Sequence, residues 1–145
     1  MKKVTLFKDI QSSVIGFGCA PIQGAIDSKT GKKAIIHALD MGVNHFDLAR
    51  SYGYGEAEKF VGNLIAPLRD ELVISSKFGI KANAKARLFR PVKPIMRTLM
   101  DLKKRKSPKS DDMKVVKPNS ISDLFHDRIT LNVHEMNKSL EESLK

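Results

Sequence analysis

Apolar and polar residues alternate from Lys2 to Lys8 (KKVTLFK), the period-two pattern of a half-buried strand. A second short apolar run, Ser13 to Phe17 (SVIGF), either pairs with the first as a hairpin or stands as a separate strand. Gly18 to Gly24 (GCAPIQG) has loop chemistry. Asp27 or Ser28 is suited to cap a helix that runs to about Met41. Ala34, Ile35, Ala38, Leu39 and Met41 recur at helical spacing along it, and Gly42 follows its last turn. Val43 to Leu48 (VNHFDL) predicts a strand, and Glu56 to about Ile65 (EAEKFVGNLI) a helix whose early glutamates suit the positive end of its dipole. Leu72 to Ser76 (LVISS) predicts a further strand, leading into Lys77. Short apolar strands alternating with amphipathic helices predict an α/β fold of right-handed parallel βαβ units over the first eighty residues.

The pattern changes after Phe78. Ile95, Leu99 and Leu102 keep helical spacing over residues 94–106 (PIMRTLMDLKKRK), opposite a basic face. Residues 107–119 carry Pro108, Pro118 and mixed charges and predict a loop or disorder. Ile129 to Leu131 predicts a short extended piece, and residues 132–145 a last helix in which Asn132 and Glu135 have capping-box spacing. Three segments follow: 1–80, a basic stretch over 81–119, and 120–145.

Charge sharpens that division. Residues 81–117 hold 13 Lys/Arg against three Asp, whereas the rest of the chain holds 13 Lys/Arg and 13 Asp/Glu. The net charge of +10 therefore belongs to one segment and does not by itself make the chain a nucleic-acid binder. Joined to an amphipathic helix, Lys103 to Lys106 (KKRK) raises the alternative of a surface for nucleic acid or anionic membrane. Phe89 is the one aromatic residue near it, which weighs against base stacking, and a solvated insert over the site is favoured. The single Cys19 excludes an internal disulfide and suits a reducing compartment. With no signal pattern and no long apolar run, the expectation is a cytoplasmic protein.

Chemistry concentrates in HFDLARSYGYGEAEKFVG, residues 45–62. Asp47 and Lys77 each end a predicted strand, and one crossover helix joins the two strands. Parallel neighbours lie roughly 4.8 Å apart, so both side chains leave the same carboxyl edge, where α/β folds place their sites. Tyr52 follows on a glycine-rich loop above that edge. A phenol's reference pKa is about 10, and a nearby ammonium lowers it. A carboxylate holds that ammonium in place. The trio suits a tyrosine that protonates a carbonyl oxygen as hydride reaches its carbon.

Residues 42–62 (GVNHFDLARSYGYGEAEKFVG) resemble the signature of the aldo-keto reductases. LVISSKFG, residues 72–79, resembles that family's next strand with its lysine, and SVIGFGCAPIQG, residues 13–24, its first barrel strand and loop. SLEESLK at the last helix resembles the family helix before strand four. The resemblance implies the N-terminal part of a (β/α)8 TIM barrel with an N-terminal hairpin plugging its bottom. It implies NADPH-dependent reduction of an aldehyde or ketone, with Tyr52 as general acid, Lys77 tuning it and Asp47 holding the lysine. Gly18, Cys19 and Ala20 match a loop that touches the cofactor, Asp47 lies beside it, and no metal is implied.

Two departures accompany the resemblance. The family's fourth catalytic residue, a histidine ending strand four, has no match here; His126 and His134 lie in or before the last helix. A (β/α)8 barrel takes roughly 250 residues, and this chain supplies about three of its eight units. The basic stretch after Gly79 is the second departure. The expectation is a truncated oxidoreductase chain, inactive or nearly so alone, that self-associates through exposed barrel-interior surface. Plainer roles are assigned elsewhere: His45 as a satisfied core histidine, Cys19 as a packed small residue, Tyr54 as loop surface or substrate wall. Gly16 and Gly18 lack the third glycine of a dinucleotide fingerprint.

Overall fold

The computed structural model describes residues 1–95, 98, 99 and 124–144. The predicted loop over 107–119, and all of the predicted basic helix over 94–106 except residues 94, 95, 98 and 99, lie outside the described residues.

The chain opens with an antiparallel hairpin, β1 (Lys3–Phe7) and β2 (Ile10–Ser13), with Lys3 opposite Ser13 and Phe7 opposite Ile10. The apolar run from Ser13 to Phe17 is therefore not one strand. Ser13 closes β2, and Phe17 opens β3 (Phe17–Gly18). Polar bonds at Ser13 divide the run: its N–H donates to Asn44 Oδ1 at 2.6 Å, and its hydroxyl donates to Ile15 O at 2.7 Å. Val14 and Ile15 are left 49% and 59% exposed. β1 is likewise exposed along its whole length, so its alternation does not mark a buried face.

β3, β4 (His45–Asp47) and β5 (Val73–Ser75) form a parallel sheet in chain order. α1 (Ser28–Asp40) links the first pair and α2 (Ala57–Ile65) the second. Consecutive parallel strands joined through helices, each beside the last, are the way a (β/α)8 barrel begins. Asp27 caps α1 by accepting from Thr30 N–H at 2.7 Å, and Gly42 ends its last turn with a φ of +81°. Phe46 from the sheet, Ile35 and Ala38 from α1, and Val61 and Ile65 from α2 form the core, with Ile22 from the loop after β3. This core is aliphatic apart from Phe46, against which the Phe17 ring packs at 5.8 Å.

The hairpin sits at the amino ends of β4 and β5. Buried Asn44 accepts from Ser13 N–H and donates to Gln11 O at 2.9 Å and Glu71 O at 3.2 Å. His45 bonds Ser12 Oγ at 2.9 Å and Ser75 Oγ at 3.2 Å, the satisfied histidine that was expected. Asn44→Ala strips partners from three backbone groups in this closed region. We expect it to cost about 2–3 kcal/mol in urea unfolding, and a change within experimental error would contradict this account of the plug.

Beyond β5 the chain leaves the sheet. β6 (Ile80–Ala82) pairs antiparallel with β7 (His126–Arg128), and α3 (Ala84–Phe89) follows β6. The extended piece expected at 129–131 lies instead at 126–128, where cross-strand pairing rather than apolar content sets it. Asn83 caps α3 by accepting from Ala86 N–H at 3.0 Å. The last helix, α4 (Val133–Ser143), starts as expected, with Asn132 accepting from Glu135 N–H at 2.8 Å. Its polar side meets the loop after β4 and the start of α2: Arg50 pairs with Glu142 and donates to Ser139, and Ser143 donates to Glu58. Val133, Met136 and Leu140 remain exposed. Among the described residues no helix is long and apolar enough to cross a membrane, and no cluster of three metal-ligating side chains occurs.

Candidate active site at the carboxyl ends of the strands

Strand register assembles the site. Gly18, Asp47 and Ser75 are cross-strand partners in the last layer of β3, β4 and β5, on the edge opposite the hairpin. Lys77 lies two residues past Ser75, so it rises on the same side. Its ammonium donates to both Asp47 oxygens, at 2.7 and 2.6 Å, and to Leu48 O at 3.1 Å. It also stands 4.7 Å from the centroid of the Tyr52 ring. The three predicted residues therefore meet at one point. Ser75 joins them, donating to Asp47 Oδ1 at 3.3 Å. Its period-two offset from Lys77 was the sequence signal for that role.

Tyr52 is carried by a single 3-10 turn, Tyr52–Tyr54, whose backbone is unusual. Gly53, Tyr54 and Gly55 all have positive φ, at +61°, +61° and +82°. Gly53 is needed there, because a Cβ on it would lie 2.6 Å from Gln23 Cβ and 2.7 Å from Ile22 O. A cavity of about 370 Å3 opens beside the turn, lined by Tyr52, Tyr54, Ala20, Gly24, Ile80 and His126. The Tyr54 ring stacks on His126 and meets Phe125 edge-on, so it is a wall of this cavity and not free loop surface. His126 reaches the cavity because β7 pairs with β6, a long-range event with no local sequence signal.

The loop after β3 faces the same edge. A Cβ on Gly18 would meet nothing within 4 Å, so the space before it is open. Cys19 N–H donates to Asp47 O at 2.9 Å, while the thiol is fully buried and directed toward Phe17 O. Burial first, and the Asp47 charge second, push that thiol up to about 12 against the opposing pull of Lys77. It is a protonated, packed cysteine rather than a nucleophile.

Burial alone would lower the Lys77 pKa. Hydrogen bonding and charge from Asp47 and Tyr52 outweigh it and raise the value above the ordinary 10.5. Because the folded value is the higher one, this group's stabilisation is complete below 10.5 and is lost as pH rises through the folded value. Lys77 and Asp47 are 47% and 41% exposed, so solvent screening keeps the contribution small. Urea midpoints of the wild type and Lys77→Met should converge only at strongly alkaline pH. A gap that stays constant across that range would contradict the linkage.

The aldo/keto reductase family model matches residues 14–143. The chain belongs to the aldo/keto reductase family. An aldo-keto reductase of Bacillus subtilis is 36% identical over 74 residues, covering 47% of this chain and 22% of that protein. An NADH-specific methylglyoxal reductase of Escherichia coli is 33% identical over 100 residues, covering 63% and 31%. Among solved structures, an aldo-keto reductase from Bacillus halodurans in its holo form shows 32% identity and a TM-score of 0.49, covering 55% of this chain and 26% of that one. The chain spans less than a third of the length of each of these relatives.

Proposed function

We propose that Asp47, Tyr52 and Lys77 are the proton-donating part of a carbonyl-reducing site. The single observation that carries this reading is the Lys77 ammonium, held by both Asp47 oxygens and placed over the Tyr52 ring. Tyr52 gives its proton to the oxygen of an aldehyde or ketone. Lys77 offsets the negative charge left on the phenol, and Asp47 fixes the lysine and keeps it charged.

The open edge supports a nicotinamide there. The space before Gly18, the Ala20 wall and the cavity beside Tyr52 fit its flat ring, and Gly18, Cys19, Ala20 and Asp47 are the residues assigned to hold it. The Cys19 thiol is buried and its N–H is given to Asp47 O, so its assigned part is to fix the loop between Gly18 and Ala20. When bound, the nicotinamide supplies hydride to the carbonyl carbon. NADPH is the cofactor proposed, with NADH as the direct alternative in any assay. We place the protein in the cytoplasm, where a lone buried thiol stays reduced.

The chain by itself is proposed to turn over little or nothing, and to self-associate. Leu6, Phe7 and Ile15 near the hairpin, and Val133 and Leu140 on α4, are among the apolar side chains left exposed. The test is a chimera in which residues 14–79 replace the corresponding stretch of the Bacillus subtilis relative. Aldehyde-dependent oxidation of NADPH or NADH is then followed in the chimera and in the 145-residue chain. The chimera should turn over. A folded chimera that binds cofactor and reduces no carbonyl would sink the proposal, and brisk turnover by the 145-residue chain would overturn its assigned inactivity.

A further inference from the structure

We propose that Arg90 and Lys93, at the start of the basic stretch, clamp the Tyr52 turn in its left-handed conformation and are positioning residues for Tyr52. The inference rests on the proton-donor reading of Tyr52 given above. Lys93 turns inward, and Arg90, about a third exposed, also reaches the turn. The Lys93 side chain is only 10% exposed. Its ammonium donates to Gly53 O at 2.8 Å and Gln23 O at 3.1 Å, pairs with Glu56, and lies 4.8 Å from the Tyr54 ring centroid. Arg90 Nη2 donates to Tyr54 O at 3.1 Å and Gly55 O at 3.4 Å, and Arg90 Nε lies 3.6 Å from Glu56 Oε1.

The carbonyls chosen are the informative part. Gly53, Tyr54 and Gly55 are the residues with positive φ beside Tyr52, and Gln23, on the loop after β3, also has a positive φ of +59°. For Tyr54 and Gln23 this backbone region is sparsely populated and persists only where surrounding contacts impose it. Lys93 joins the two strained loops, one carrying Tyr52 and the other carrying Ala20 and Gly24, which line the same cavity. Glu56 supplies the countercharge that makes burying the ammonium tolerable. Glu56 therefore anchors this clamp just before α2, beyond the helix-dipole role its position first suggested. Part of the basic charge thus serves the site from within.

The test uses the 145-residue chain as Lys93→Met, which keeps the apolar stem, and as Lys93→Arg. The first readout is hydrogen exchange. The amides of Tyr52 and Gly55 bond within the turn, and those of Cys19 and Leu48 bond across the sheet. In Lys93→Met the turn amides should exchange about ten- to a hundredfold faster, the change expected from losing a charge-assisted bond, while the sheet amides hold. The second readout is near-ultraviolet circular dichroism in a Tyr54→Phe background, where Tyr52 is the sole tyrosine. Its band should fade in Lys93→Met and return in Lys93→Arg. Arg90→Gln, at a more exposed position, is read the same way if Lys93→Met does not fold. Unchanged turn amides would overturn the clamp, as would equal acceleration in turn and sheet. Neither readout needs a cofactor. A turn loosened by Lys93→Met in the 145-residue chain, beside a chimera that binds cofactor and reduces no carbonyl, leaves the clamp and removes the proton-donor reading; an unmoved turn beside an active chimera does the reverse.

Discussion

Tyr52→Phe is expected to lower kcat of the active chimera by about 10²–10⁴-fold, the usual contribution of a positioned general acid. Phenylalanine keeps the ring over which Lys77 stands at 4.7 Å, so the site should stay assembled. It removes the O–H; of the nearby described donors, Ser75 is turned toward Asp47, the Cys19 thiol is buried and His126 Nε2 bonds Ser51 O. Cofactor affinity should change by no more than a few-fold, because Gly18 and Ala20 belong to a different loop. Steady-state kinetics together with cofactor titration separate the two effects. A loss of less than about tenfold would mean that the proton comes from elsewhere.

Gly53→Ala is expected to cost about 3–5 kcal/mol, combining a left-handed backbone for an L-residue with overpacking. The new methyl would fall 2.6 Å from Gln23 Cβ and 2.7 Å from Ile22 O. Ile22 is fully buried in the core, so that side of the contact has little room to yield. The turn has two routes open: it can unfold locally, or it can flip to negative φ and take Tyr52 off the Lys77 ammonium. Gly62→Ala is the control, since a Cβ there meets nothing within 4 Å. Urea unfolding of both variants checks the difference, and equal midpoints would show that the turn is softer than its geometry implies.

Much of the fold was legible because the relevant signals are local. Helical spacing and the caps Asp27, Gly42 and Asn132 located α1 and α4, and the apolar runs at 43–48 and 72–76 located β4 and β5. The junction near Ser13 was misread, because a long-range bond from Ser13 N–H to Asn44 Oδ1 breaks an apolar run that looks continuous. The β6–β7 ribbon escaped for the same reason: HDR at 126–128 has no strand pattern, and its partner lies more than forty residues away. The site divides along that line too. Asp47 and Lys77 fall at or just past strand ends, so parallel register converges them, and Tyr52 follows on the loop after β4. Arg90, Lys93 and His126 enter from beyond Gly79. A basic composition there suggested solvated charge or a polyanion surface, and nothing in it showed that Arg90 and Lys93 would turn toward backbone carbonyls.

The central claim is that a proton from Tyr52 reaches a carbonyl oxygen as hydride reaches its carbon. The most direct measurement follows the label: the chimera is given NADPH deuterated at the transferring position and an aldehyde, and the product is read by NMR. The account predicts an alcohol carrying deuterium on the former carbonyl carbon, formed by the unmodified site and nearly absent with Tyr52→Phe. Cofactor consumed with no deuterium in the alcohol, or the same labelled product at an undiminished rate from Tyr52→Phe, would contradict it.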